Sequence, residues 1–143
     1  MSETDRILAF LGGRRAVAGA GTRAEIDFVP ALRRGLSVSA FKNATAVLQM
    51  PASDLTRYLG LKRRTLTRRK SRLSPVESSR LFRLARIFAR AAQVLDGPDA
   101  AAKWLRRPQR ALGGEIPLAL LDTDAGALAV ERLLGRIEDA VVT

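Results

Sequence analysis

Apolar positions recur at helical spacing along nearly the whole chain, and no stretch alternates apolar and polar residues for long enough to make a strand. The pattern predicts an all-α protein. From Ser37 to Met50, the residues Val38, Phe41, Ala44, Val47 and Leu48 form one apolar stripe on a helix of about three to four turns. Pro51 starts the next element. The best helix start in the chain follows at Ser74, which is placed to cap a helix with Pro75 at its first position and Glu77 three residues after the cap. This helix is expected to run from Pro75 to about Leu95. Leu81, Leu84, Ala85, Phe88, Ala92 and Leu95 make its stripe. Phe82, Ile87 and Val94 widen that stripe beyond the needs of a surface helix, so the helix is expected to touch two things, one of which could be a second copy of the chain.

Asp96-Gly97-Pro98 ends this element. Ala100 to Arg106 then reads as a short helix carrying Trp104 and Leu105 and closed by Pro108, and Ala111-Leu112-Gly113-Gly114 as a glycine-terminated turn. Another short apolar turn starts near Pro117 and runs to Leu121. Asp122, Thr123 and Asp124 put oxygens and negative charge at the mouth of a final helix, where unpaired amides and the dipole favour them. Gly126, Val130, Leu133, Leu134, Ile137 and Val141 line one side of that helix, facing a core or a partner. Residues 1 to 35 are the least legible. Ile7, Leu8 and Leu11 predict a helical turn or two, Gly12-Gly13 and Gly19-Ala20-Gly21 break it, and partial mobility is expected there.

Between the two central helices, Leu55, Leu59 and Leu61 surround Gly60. They read as a short helix, a tight turn and a second helix anchored by Leu66, the spacing of a helix-turn-helix. Two positions depart from the usual pattern: Thr56 stands where a small alanine is commoner, and Arg69 where a second apolar anchor is common, a role Leu73 can take instead. The second helix carries seven cations, Lys62, Arg63, Arg64, Arg68, Arg69, Lys70 and Arg72, with Thr65 and Thr67 among them. In this motif the second helix enters the major groove of double-stranded DNA, where a bidentate arginine discriminates a guanine by roughly 1–3 kcal/mol and a cation on phosphate adds affinity without sequence choice. Thr65 and Thr67 can meet a base edge or a phosphate, or only decorate the helix.

Composition sharpens this picture. Of the net +11, residues 51 to 95 hold twelve Lys/Arg against two Asp/Glu, while residues 96 to 143 hold six against eight. A solubility device would be spread out; one basic block followed by a mildly acidic tail points to two surfaces for two partners, one of them a polyanion. Arg80, Arg83, Arg86 and Arg90 recur at helical steps on the capped helix, as a second phosphate ridge or a solvated flank. The 143 residues contain no Cys and no His, which removes disulfides, thiolate nucleophiles, zinc-finger spacing and the usual general base. Asp122 and Asp124 are explained as helix-start residues, and Glu131 and Glu138 as a solvated face. The Gly113-Gly114 pair lacks the lysine and hydroxyl residue of a phosphate loop. No enzyme activity, metal or cofactor is therefore expected. No apolar stretch reaches the roughly 18 residues that span a bilayer, and no leader pattern opens the chain, so a cytosolic protein without a membrane partner is expected.

Four blocks carry a family resemblance over roughly residues 35 to 138. They are Gly35-Leu36-Ser37-Val38-Ser39-Ala40; Arg64-Thr65-Leu66-Thr67-Arg68-Arg69; Leu73-Ser74-Pro75 with Glu77-Ser78 to Leu95; and Trp104-Leu105-Arg106-Arg107-Pro108 through Ala111-Leu112-Gly113-Gly114 to Leu121-Asp122-Thr123. In these blocks the chain resembles the antitoxins of the Xre/MbcA/ParS group. The resemblance implies an Xre-like helix-turn-helix half that binds operator DNA, here residues 36 to 73, and a small toxin-binding half over about 98 to 143; the capped helix over 74 to 97 is read from its wide stripe as linking the two and dimerising. It also implies a partner, a RES-domain toxin that attacks cellular NAD. The residues expected to meet that toxin are Trp104, Arg107, Leu112, Gly113, Pro117, Leu121, Val130, Leu133 and Ile137. One departure lies at the end, where family members often finish with an aromatic or polar residue and a glycine, and this chain has Asp139-Ala140-Val141-Val142-Thr143. A homodimer is expected because one recognition helix reads few base pairs and two half-sites multiply specificity. Two readings from other classes stand beside this one. One is a stand-alone helix-turn-helix regulator whose carboxyl half only dimerises. The other is a basic RNA-binding protein, which would lack stacking aromatics, since only Tyr58 lies near the basic block.

Overall fold

The computed structural model describes residues 1–14, 16–17, 24–63 and 72–142. Among them run seven α-helices: α1 (Glu3–Phe10), α2 (Val29–Arg34), α3 (Val38–Leu48), α4 (Ala52–Leu59), α5 (Pro75–Val94), α6 (Pro98–Arg106) and α7 (Asp124–Val142). Short 3-10 turns lie at Glu25–Phe28, Arg110–Leu112 and Pro117–Leu120. The described residues form no strand; Ser37 with Arg72 and Gln109 with Glu115 make only isolated antiparallel bridges. The chain is all-α, as its periodicity predicts. No helix among the described residues is long and apolar enough to cross a membrane.

Helix α5 is the axis of the molecule. The Ser74 hydroxyl accepts the Glu77 N–H at 3.1 Å and the Glu77 carboxylate accepts the Ser74 N–H at 2.9 Å, closing the capping box expected from the sequence. From this start α5 packs against α1, α2, α4, α6 and α7. Leu81, Leu84, Ala85, Ala89 and Ala91 are fully buried, and Phe82, Ile87 and Phe88 nearly so. The wide apolar stripe, expected from sequence to touch two things, one of which could be a second copy, packs against five helices of the same chain. Sequence shows how much of a helix is apolar but not what covers it.

The described part of the amino-terminal segment is built into this core. Ile7, Phe10, Leu11, Val17 and Phe28 are buried. The Phe10 ring lies 4.7 Å from that of Phe88, and the Phe28 ring 5.1 Å from that of Phe82, so two phenylalanines dock the segment on α5. The Asn43 amide donates to the carbonyls of Ala9 and Phe10 at 3.1 and 2.9 Å, closing the end of α1.

Two glycines are fixed by close approach. Gly35 sits at φ +95°, and a Cβ there would lie 2.1 Å from the Leu73 carbonyl oxygen. Gly126 lets α7 pass the 3-10 turn before it, since a Cβ would lie 1.9 Å from the Leu120 carbonyl oxygen. The Thr123 hydroxyl accepts the Gly126 N–H at 3.0 Å and so caps α7.

Candidate functional site

The basic face is positioned by α4 and by the first turn of α5. Leu55 and Leu59 are fully buried and Leu61 almost so, which seats α4 and the turn after it against the core. Gly60 ends α4 in the left-handed region at φ 63°, ψ 36°, and the Leu61 N–H returns to the Thr56 carbonyl at 3.0 Å. Thr56, the residue that departs from the usual alanine, turns its hydroxyl back onto the Ala52 carbonyl at 2.7 Å and so brings its own partner. Immediately after the turn, Lys62 and Arg63 are exposed. Arg64, Thr65, Thr67, Arg68, Arg69 and Lys70, and the anchor Leu66, lie outside the described residues. At the far end Arg72 is exposed with one guanidinium N–H on the Gly35 carbonyl at 3.2 Å, while Leu73 is buried, as expected of the substitute anchor.

Among the described residues, Asp54 and Glu77 are the carboxylates of α4 and of the first turn of α5. Asp54 pairs with Arg57 at 3.5 Å on the exposed side of α4, and the Arg57 guanidinium also lies 5.2 Å from the Tyr58 ring centroid. Glu77 is buried and its carboxylate accepts two backbone hydrogen bonds, one at each oxygen: the Ser74 N–H and the Lys62 N–H, both at 2.9 Å. Burial pushes its carboxyl up, but the Lys62 and Ser74 amides, the Ser74 side chain and the Lys62 charge outweigh it and leave the group below its ordinary value. A shallow groove lined by Ser53, Thr56, Arg57, Gly60, Leu61 and Arg63 runs beside the turn.

The four arginines of α5 form neither a phosphate ridge nor a solvated flank. Arg80 donates to the carbonyls of Leu59 and Gly60 at 3.3 and 3.1 Å and so closes the end of α4. Arg83 reaches the Leu121 carbonyl at 3.2 Å and Asp124 at 3.4 Å. Arg86 holds Glu131 at 2.6 Å and Arg90 holds Glu138 at 2.7 Å. Glu131 and Glu138 are therefore half-buried partners of α5, not a solvated face. These pairings join positions far apart in sequence, and only the i, i+3 and i, i+4 spacing within one helix was available to predict them.

In the carboxyl half, the nine residues expected at a protein interface separate into two groups. Pro117, Leu121, Val130 and Leu133 are buried within the chain; they support the surface from behind and do not form it. An apolar stripe has the same spacing whether it faces a core or a partner. Trp104, Leu112 and Ile137 are half-buried, and Arg107 and Gly113 are exposed. Leu128, at 45% exposure, was not singled out from sequence, because it stands off the main stripe of α7 between Ala125 and Ala129. Gln109 was also missed. Its side-chain amide donates to the carbonyls of Trp104 and Arg107 at 3.0 and 3.2 Å, and its backbone N–H bonds the Glu115 carbonyl at 3.0 Å. Gln109 thereby fixes the turn that carries Gly113 beside the Trp104 end of α6.

Comparison with known proteins agrees with this division. Residues 27–86 match the family model of the antitoxin Xre-like helix-turn-helix domain, and residues 90–139 that of the antitoxin Xre/MbcA/ParS C-terminal toxin-binding domain. The boundary between the two matches falls within α5. An Antitoxin Xre of Photorhabdus laumondii subsp. laumondii is 35% identical over 116 residues, covering 78% of each chain. An Antitoxin Xre of Yersinia enterocolitica is 33% identical, covering 79% of each. A Prs ADP-ribosylating antitoxin of Sphingobium sp. is 28% identical, again covering 79% of each.

Proposed function

The chain belongs to the Xre-like antitoxins, and from that premise we propose that it neutralises a cognate RES-domain, NAD-degrading toxin by covering the entrance to its active site, and binds double-stranded operator DNA as a homodimer to repress its own operon. The observation that carries the first part is the match of residues 90–139 to a toxin-binding domain, on the half of the chain where Trp104, Leu112, Leu128 and Ile137 reach solvent, as do Arg107 and Gly113. Steric occlusion asks no chemistry of this chain: a rigid apolar and cationic surface suffices if it fills the route by which substrate enters. The DNA arm is supported by the helix-turn-helix match and by exposed Lys62, Arg63 and Arg72 at the two ends of the cationic run. Arg64, Thr65, Thr67, Arg68, Arg69 and Lys70 are proposed to complete that contact. Both partners belong to the cytosol.

The Sphingobium relative is named an ADP-ribosylating antitoxin, which favours a second reading of the toxin, as an enzyme that transfers ADP-ribose. Both chemistries begin from NAD. The test is to express a RES-domain protein encoded beside this chain, alone and together with it. Growth arrest with falling NAD, reversed on co-expression, together with co-purification of the two proteins, is the expected result. ADP-ribose found on a protein, with the same rescue, selects the second reading. Absence of both rescue and co-purification leaves a stand-alone helix-turn-helix regulator.

A further inference from the structure

The first turn of α5 does more than start a helix. The Glu77 carboxylate uses both oxygens: Oε1 accepts the Ser74 N–H at 2.9 Å and Oε2 the Lys62 N–H at 2.9 Å, across fifteen residues. One residue further on, the fully buried Ser78 hydroxyl accepts the Leu36 N–H at 2.7 Å, and the Leu36 carbonyl in turn accepts the Leu73 N–H at 2.8 Å. Lys62 and Leu73, on either side of the cationic run, are thus both tied to a single helical turn, Lys62 directly and Leu73 through Leu36. Neither bond is needed for α5 itself. The capping box is complete without Lys62, and Ser78 is a poor choice for a buried helical position unless its hydroxyl has a partner.

We infer that Glu77 and Ser78 are positioning residues for DNA recognition, setting where the exposed cations Lys62, Arg63 and Arg72 stand relative to the rest of the molecule. They touch no nucleic acid. The inference rests on the DNA-binding reading above and deepens it. Glutamine cannot replace Glu77, because its amide offers one acceptor where two N–H groups converge and turns a donor toward the other. Alanine at 78 is nearly isosteric but leaves the buried Leu36 N–H without a partner.

The test uses the full chain, a duplex spanning the region upstream of its own gene, and an unrelated duplex of equal length. Glu77→Gln and Ser78→Ala are each expected to weaken binding to the upstream duplex by about tenfold or more, with little change on the unrelated one, since nonspecific affinity follows charge and not placement. Ser74→Ala is the control. It removes the cap that Glu77 shares but keeps the Lys62 bond, so it is expected to lower Tm while holding upstream-duplex affinity within about twofold at temperatures where all variants are folded. Equal losses in Ser74→Ala and Glu77→Gln, or unchanged binding in Glu77→Gln, overturn the inference. Hydrogen exchange of the unaltered chain supplies a reading that needs no variant: the Lys62 amide is expected to be protected and the Arg63 amide not, and fast exchange at Lys62 overturns the clamp. If the unaltered chain does not prefer the upstream duplex, operator recognition itself fails, and this inference falls with it.

Discussion

Gly35 occupies a position where two constraints coincide. Its φ of +95° is unfavourable for any residue with a Cβ, and that Cβ would stand 2.1 Å from the Leu73 oxygen, a backbone atom already fixed by its neighbours. Gly35→Ala is therefore expected to destabilise the fold by roughly 2–4 kcal/mol, strain and overlap together, as measured by urea unfolding. Glu77 sets a pH dependence. Burial raises its carboxyl, but its hydrogen bonds and the Lys62 charge lower it by more, leaving it below its ordinary 4.5. A carboxylate held below its unfolded value contributes stability that is complete above that value and is lost as pH falls through the lowered one. The Tm difference between the unaltered chain and Glu77→Gln is accordingly expected to be widest above about pH 5 and to close as the solution is made more acidic. A difference independent of pH over that range would show that the carboxylate charge plays no part.

Elements were legible where their signals are local. Ser74, Pro75 and Glu77 announce α5 within four residues, and the run of oxygens before Asp124 announces α7 in the same way. What escaped the sequence is carried by distant pairs. Phe10 and Phe28 meet Phe88 and Phe82 only after the chain has folded back, so residues 1 to 35 were the least legible although Phe10 of α1 and Phe28 just before α2 help build the core. Arg86 and Glu131 lie forty-five residues apart. As half-exposed pairs between α5 and α7, Arg86–Glu131 and Arg90–Glu138 are each expected to contribute a coupling of about 0.5–1 kcal/mol in a double-mutant cycle to alanine, shrinking in high salt. Couplings near zero at low salt would show that apolar packing alone joins the two helices. The interface forecast failed at Leu121 and Val130 for a related reason: both are fully buried, and periodicity does not distinguish an apolar face turned inward from one kept for a partner.

At the scale of the molecule, part of the charge separated along the sequence is brought together, since Arg83, Arg86 and Arg90 of the basic block pair with Asp124, Glu131 and Glu138 of the acidic tail. α5 is shared by both halves. Its first turn holds Lys62 directly and Leu73 through Leu36, and its later arginines hold α7, so the basic face and the carboxyl half stand on one rigid support. This gives the two proposed partners different sensitivities to salt. Each phosphate contact removed from the DNA arm is expected to lower the slope of log affinity against log salt by about one. Lys62→Ala, Arg63→Ala, and Arg68→Ala with Arg69→Ala are thus expected to flatten that slope and leave toxin neutralisation intact. Arg107→Ala and Leu128→Ala are expected to do the reverse, weakening the toxin complex while the DNA slope stays where it was. The measurements are duplex binding over a salt series and rescue of toxin-arrested cells, made on the same set of variants. If Arg107→Ala flattens the DNA slope, or Lys62→Ala abolishes rescue, the two surfaces are not separate and a single basic surface serves both partners.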